Sequence, residues 1–361
     1  MKYRRMGNSG LIVSELSLGT MQFGRKMNMG NLGQEETTAL VRHAIDRGVN
    51  LIDTADVYSL GESEELVGKA LGGIREEIVL ATKCRLPMSE NFNRSGSTRH
   101  NILRGVESSL RRLQTDYIDL FQLHGWDSHT PLEETVRAMD DLVRSGKVRY
   151  IGICNYLAWQ MATALGLQER LNLHPFVTAQ MYYSLAGRGL EDEFLSMAEY
   201  HDLGILVWSP LAGGFLSGKY QPGQPPPEGT RFQENGNFVP IEREQGFRAV
   251  EAARRVAERH GVSVARVSLA WLLTRPAVSS VIVAGRRTDQ IDDNLAASDL
   301  ELTGEDLREL DEATRQEIPP YPKWMVLQLD VAEDPRPKVL HPERYADGGP
   351  WRDRREFGWQ G

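Results

Sequence analysis

Eight short apolar runs recur along the chain, at residues 16–19, 50–53, 78–83, 118–124, 150–153, 176–180, 205–208 and 281–284, each closed by a polar or small residue. Runs that are nearly continuous in apolar residues, rather than alternating, mark strands buried on both faces, as in parallel sheets. The segments between them carry helical periodicity. Residues 35–47 place Leu40, Val41, Ala44 and Ile45 on one face, and residues 98–113 do the same with Ile102, Leu103, Val106 and Leu110. Residues 131–145 open on Pro131 and stop before Gly146, the expected punctuation of a helix. Eight strands alternating with helices predict an α/β fold closed as a (β/α)8 TIM barrel, a design that needs about 250 residues. The remaining length predicts three additions. Residues 3–13 read as an N-terminal β-hairpin turning at Asn8-Ser9-Gly10, and the Pro- and Gly-rich stretch 212–246 reads as a long lid loop. A C-terminal extension, 317–361, has seven prolines and six aromatic residues, a content that predicts docking on the barrel (1–316) or on a neighbouring copy in a homo-oligomer.

Charge and composition then exclude whole classes of function. Lys and Arg number 42 against 50 Asp and Glu, a net charge of −8 with no basic block, which argues against nucleic acid or an anionic membrane surface as partner. The two cysteines, Cys84 and Cys154, are too far apart for a paired metal or redox motif and imply no disulfide framework. No apolar run approaches the ~18 residues of a membrane span, and the N-terminus has no signal-peptide core. A soluble, cytoplasmic protein is the expectation.

Barrels of this kind keep their chemistry at the C-terminal ends of the strands. There the second run delivers Asp53, with Tyr58 five residues on, the third Lys83, the fourth His124, the fifth Cys154 and Asn155, the sixth Gln180 and the seventh Trp208 and Ser209. Any one of these has a structural reading: a packed loop Tyr, a rim ion pair, a core His. Four proton-handling groups on successive strand ends favour function, with no metal required. A phenol titrates near ~10. An ammonium ~4 Å away at an effective dielectric of ~20 is worth about 4 kcal/mol, enough to strengthen the acid by roughly three powers of ten. Asp53 beside Lys83 would weaken that effect while fixing the ammonium. The set suits protonation of a carbonyl oxygen, and the hydride for the carbon must come from a cofactor.

The run Gly48-Val49-Asn50-Leu51-Ile52-Asp53-Thr54-Ala55-Asp56-Val57-Tyr58, followed by Gly61-Glu62-Ser63-Glu64, resembles a signature of the aldo-keto reductase superfamily. So do the opening residues 3–11, Leu80-Ala81-Thr82-Lys83, Leu123-His124, the stretch 146–155 and Trp208-Ser209-Pro210-Leu211, so that the resemblance covers about residues 3–300. It implies an NADPH-dependent enzyme reducing an aldehyde or ketone reversibly, with NADP bound across the barrel rim; consistently, the chain has no G-x-G-x-x-G. It further implies Tyr58 as general acid with Lys83, Asp53 and His124 as its partners. Asn155 and Gln180 would hold the nicotinamide carboxamide, with Cys154 in place of the usual Ser, and Trp208 would stack on the ring. Implied cofactor contacts extend to Gly19, Thr20, Met21, Ser209, Pro210, Leu211, Gly213, Gly218 and Lys219. At the adenosine end, Gly285, Arg286, Gln290, Asp293 and Asn294 are implied, Arg286 meeting the 2′-phosphate. Phe23, Tyr58, Trp126 and Tyr182 are candidate substrate walls. Residues 213–219 also fit G-x-x-x-x-G-K, but Tyr220 stands where a P-loop needs Ser or Thr, so these glycines are read as a phosphate-covering loop. Some barrels of this family serve as accessory subunits of membrane channels that sense the cofactor's redox state, and that is the alternative expectation.

Overall fold

The computed structural model describes residues 1–28, 30–228, 230, 232–233, 239, 241–315 and 322–323. The chain divides into two units, Met1–Arg315 and Gln316–Gly361. Of the second, just Pro322 and Lys323 are described, so the expectation for the 317–361 extension lies outside the described residues.

The first unit opens with an antiparallel hairpin, β1 (Tyr3–Arg5) against β2 (Ile12–Ser14), with Tyr3 opposite Ser14. Its turn is closed by Met6 N–H donating to the Leu11 carbonyl (2.8 Å) and Ser9 Oγ to the Met6 carbonyl (2.7 Å). Eight parallel strands follow: β3 (Leu16–Gly19), β4 (Leu51–Asp53), β5 (Val79–Cys84), β6 (Ile118–Leu123), β7 (Val148–Cys154), β8 (Phe176–Tyr182), β9 (Gly204–Trp208) and β10 (Val278–Val283). They pair in chain order, and β10 returns to β3 with Val281 opposite Leu16, which closes the barrel. All eight expected strands are present, within a few residues of their expected bounds.

Helices pack outside the strands: α1 (Gln34–Asp46), α2 (Glu62–Ala70), α3 (Arg99–Leu113), α4 (Leu132–Arg144), α5 (Ala158–Arg170), α6 (Phe194–Tyr200), α7 (Arg243–His260), α8 (Val264–Leu273), α9 (Thr288–Leu295) and α10 (Gly304–Thr314). Local chemistry sets their ends. Thr98 caps α3 by accepting from Asn101 N–H (3.2 Å), and α4 stops where Gly146 takes φ +73°. The main core lies between helices and strands. A smaller apolar core fills the barrel interior: Leu51, Val79, Ala81, Leu120, Leu206 and Ile282, closed by Met6 and Val13 of the hairpin.

The expected lid is shorter than its sequence suggests. Ala212–Ser217 forms a 3-10 turn, and residues 243–246 are the first turn of α7, capped by Glu242 accepting from Glu244 and Gln245 N–H. Among the described residues, 220–228 directly after Lys219 form no helix of the kind that follows a P-loop.

Candidate active site

Strand alternation decides which side chains enter the barrel. On β5, Val79, Ala81 and Lys83 face inward, and on β4 Leu51 and Asp53 do. The first members of each set are apolar and lie in the interior core; the last are polar and stand at the C-terminal end. Lys83 is fully buried and its Nζ lies 2.5 Å from Asp53 Oδ1. It also donates to the Thr54 carbonyl at 2.8 Å and to the Tyr58 hydroxyl at 3.4 Å. The Tyr58 and His124 rings meet edge to face with centroids 5.8 Å apart. The four expected proton-handling residues therefore converge.

Tyr58 reaches this point because the chain reverses sharply after β4. Ser59 (φ +49°), Leu60 (φ +52°) and Gly61 (φ +87°) are all left-handed. Such backbone in two non-glycine residues costs free energy and persists where surrounding contacts over-determine it. Here Ser59 Oγ donates to the Phe23 carbonyl (2.9 Å), and Ser63 Oγ donates to the Thr20 carbonyl (2.9 Å) while meeting the Thr54 hydroxyl at 3.1 Å.

The electrostatics correct one expectation. Burial raises the Tyr58 phenol, Lys83 lowers it and Asp53 raises it; burial prevails, so the phenol lies above its ordinary value and holds its proton firmly. Burial disfavours the Lys83 ammonium, but Asp53 and Tyr58 outweigh it and the lysine is held charged, above the usual lysine range. His124 is pushed down to about 3 by burial, Lys83 and Arg85, so it is neutral. Its Nδ1 is buried and has no hydrogen-bond partner.

Gln122 is a member that the sequence analysis missed. It sits one inward position below His124 on β6, donates to Asp53 Oδ2 at 3.3 Å, and its Oε1 lies 4.0 Å from Cys154 Sγ. The signal was the period of two through 120, 122 and 124. Gln180 also donates to Asp53 Oδ2, at 2.7 Å. Asp53 thus accepts from Lys83, Gln122 and Gln180 together, and the Gln180 amide nitrogen is engaged inside the protein.

Other expected residues fall into three groups. Around the rim, Asn155 (φ +56°) accepts from Trp208 Nε1 at 2.9 Å and donates to the His124 carbonyl at 3.3 Å, tying three strand ends together. The Trp208 ring lies 5.3 Å from that of Tyr182, whose hydroxyl meets Ser184. Ser209 Oγ accepts from Gly213 N–H at 3.0 Å, setting the glycine turn in which Gly213 and Gly214 are left-handed. Lys219 Nζ lies over Gly214, and partial burial together with Arg286 holds it below the usual lysine range, so two cations face one region. Gln22 donates to the Gly285 carbonyl, and Gln290 Oε1 accepts from Arg286 N–H at 2.8 Å. Met21 and Leu211 are half-buried, and Pro210 and Cys154 are buried. At Gly19 a Cβ would come within 2.7 Å of Ile282 Cγ2, so packing requires glycine there.

The third group is engaged by contacts within the protein. Phe23 is completely buried in the main core, which removes it from a pocket wall. The Thr20 hydroxyl is buried against Ser63 (2.9 Å). The Asp293 carboxylate takes Ser263 Oγ (2.6 Å) and Arg266 (2.7 Å), clamping α8 to α9, and Asn294 donates to the Ala284 carbonyl. These contacts hold the fold together whatever the site binds.

A closed barrel with a polar Asp–Lys–Tyr–His cluster at one mouth defines a class of proton-transferring barrel enzymes. Comparison narrows the class: the sequence model of the aldo/keto reductase family matches residues 15–315, and the chain belongs to that family. The chain is 35% identical to versiconal hemiacetal acetate reductase of Aspergillus parasiticus, over 86% of this chain and 96% of that one. An uncharacterized oxidoreductase of Bacillus subtilis is 37% identical (86% and 95%). A probable voltage-gated potassium channel subunit beta of Arabidopsis thaliana is 36% identical (83% and 92%). The chain is thus an oxidoreductase of the aldo/keto reductase type.

Proposed function

We propose that this protein reduces an aldehyde or ketone to its alcohol, reversibly, with NADPH. The observation that carries this is the Tyr58 hydroxyl standing 3.4 Å from a buried, charged Lys83 and edge-on to a neutral His124. When bound, the reduced nicotinamide supplies the hydride. The residues of this chain handle the proton. Tyr58 keeps its proton until a carbonyl oxygen needs it. Lys83, charged and fixed by Asp53 and the Thr54 carbonyl, stabilises the phenolate left behind. His124, neutral, can donate one hydrogen bond to the same oxygen without competing as a charged acid.

A dinucleotide suits the rim. The left-handed Gly213–Gly214 turn carries no side chains of its own toward the rim, and Lys219 and Arg286 place positive charge beside it. Arg286 would grip the 2′-phosphate in a fork, selecting NADP over NAD. Trp208 would back the nicotinamide ring, and Asn155 and Gln180 would approach its carboxamide.

The test is Tyr58→Phe. Turnover of small aldehydes should drop by about 10²–10⁴ while NADPH still quenches tryptophan fluorescence; wild-type turnover in the variant sinks the assignment. Likeness to the channel-subunit protein supports a second reading, a cofactor-sensing accessory subunit. Tight NADPH binding with no turnover of any carbonyl would favour it.

A further inference from the structure

Arg85 stands two residues beyond Lys83, just past the end of β5, and neither the family resemblance nor the proton chemistry above gives it a role. Its backbone is strained, with φ +138°, a region that L side chains rarely adopt. Gly96 N–H donating to the Arg85 carbonyl (2.8 Å) holds it there. Strain of this kind concentrates where a side chain must be aimed. The side chain is half-buried. One nitrogen, Nη2, donates to the Trp126 carbonyl at 2.8 Å; Nε is buried and has no partner. A buried donor left unmade is costly, and beside a candidate site it is open to a ligand.

The surroundings say what that ligand is. Among the described residues no carboxylate lies within ion-pair distance of Arg85. Asp127, which feels its field, uses its oxygens on Ser97 N–H (2.7 Å), His129 N–H (3.0 Å) and the Thr130 hydroxyl (2.6 Å). The bond to the Trp126 carbonyl, two residues after His124, and His124 N–H donating to the Cys84 carbonyl (2.9 Å) hold the guanidinium beside the mouth of the cluster, where its field reaches His124. Beside it the Trp126 ring packs edge-on to Tyr156 (5.1 Å) and Trp159 (5.8 Å), an aromatic wall beginning two residues after His124.

We propose that Arg85 determines specificity by binding a carboxylate on the substrate, so that the enzyme prefers aromatic carbonyl compounds that carry a carboxylate. A planar guanidinium pairs with carboxylate through two parallel hydrogen bonds, which makes it a geometric as well as a charge filter. The proposal rests on the reductase reading, and the two can fail separately.

The experiment compares 4-carboxybenzaldehyde with 4-methylbenzaldehyde under NADPH. The wild type should favour the carboxylate in kcat/KM by about 10- to 100-fold. Arg85→Met should abolish that ratio and Arg85→Lys should keep part of it. Arg85→Gly, which relieves the strained φ and so protects folding, should abolish it as well. A ratio that is absent in the wild type, or unchanged in Arg85→Met and Arg85→Gly, overturns the proposal. If the wild type reduces other carbonyls but neither of these two, the proposal for Arg85 is overturned; if it binds NADPH and turns over no carbonyl at all, the reductase reading falls and binding decides the role of Arg85. Tryptophan quenching should then show 4-carboxybenzyl alcohol binding about tenfold or more tightly than benzyl alcohol, with the difference lost in Arg85→Met. Equal binding of the two alcohols overturns the proposal in that case.

Discussion

At the scale of single residues, the proposed site sets opposing charge states within one buried layer. Tyr58 is held protonated by burial, against the pull of Lys83. The pH profile of reduction should therefore stay flat from neutral through weakly alkaline pH and fall where the phenol ionises, above ~10. Initial rates of kcat/KM across pH 6–11 check this; a fall centred near neutral pH would assign the acid elsewhere. His124 gives a stability signature. Its value is about 6.5 unfolded and about 3 folded, so as pH falls the unfolded chain binds the proton first. Stability from this group is complete above ~6.5 and is lost toward ~3, by up to about 1.4 kcal/mol per pH unit. Urea midpoints at pH 7 and 5 should differ more in the wild type than in His124→Gln, by up to about 2 kcal/mol. Asp53, Tyr58, Lys83 and His124 were legible because strand ends in a barrel converge. Phe23, completely buried in the main core, shows the complementary limit: a sequence position near the rim does not say whether its side chain turns to the mouth or into the wall.

At the scale of elements, the outward faces of the same strands hold the inward-facing polar residues in register. Thr82, next to Lys83, points away from the barrel and donates to Glu64 Oε1 of α2 at 2.6 Å, while Arg112 of α3 donates to Glu64 Oε2 at 2.6 Å. Glu64 is fully buried, and Asp56 close by is raised well above the ordinary carboxylate range by its own burial and by Glu64. Arg112 also packs against Gly61, at the end of the Tyr58 turn. Arg112→Met should leave the Glu64 carboxylate buried and unpaired, costing about 3–5 kcal/mol in urea unfolding. Arg112→Met combined with Glu64→Gln should recover part of that loss; equal midpoints for the single variant and wild type would refute the tie. None of this was legible, because alternation predicts that Thr82 faces out without predicting what it meets. The end of the lid was misread for a different reason. The first turn of α7 is Arg243-Glu244-Gln245-Gly246, three polar residues and a glycine that carry no apolar period, so the helix start reads as loop.

At the scale of the whole molecule, the barrel interior is divided along its axis. The mouth is polar, and the opposite end is stoppered by the N-terminal hairpin, with Met6 and Val13 seated on Leu51, Val79, Leu120 and Leu206. The eight-stranded closure was readable because it repeats one local unit, whereas the stopper depends on partners far along the chain. Arg4 shows how far: it pairs with Glu15 at 2.8 Å and donates to the Leu273 and Val278 carbonyls. Gly7, in the turn, lies so close to strands β8 and β9 that a Cβ there would meet the Val177 carbonyl at 2.4 Å. The hairpin therefore closes the one end of the interior that would otherwise admit water to an apolar core, and it touches none of the groups that move protons. Met6 is completely buried. Met6→Ala should cost about 2–5 kcal/mol through lost contact and the cavity left behind. The Leu51 and Leu120 layer remains between that cavity and Asp53, so kcat and the KM for NADPH should stay within about a factor of two of wild type at a temperature where both proteins are folded. A paired urea titration and steady-state assay separates the outcomes. A large loss of kcat with little loss of stability would mean that the stopper sets the height of the polar layer, and the division of the barrel into a structural and a chemical end would have to be abandoned.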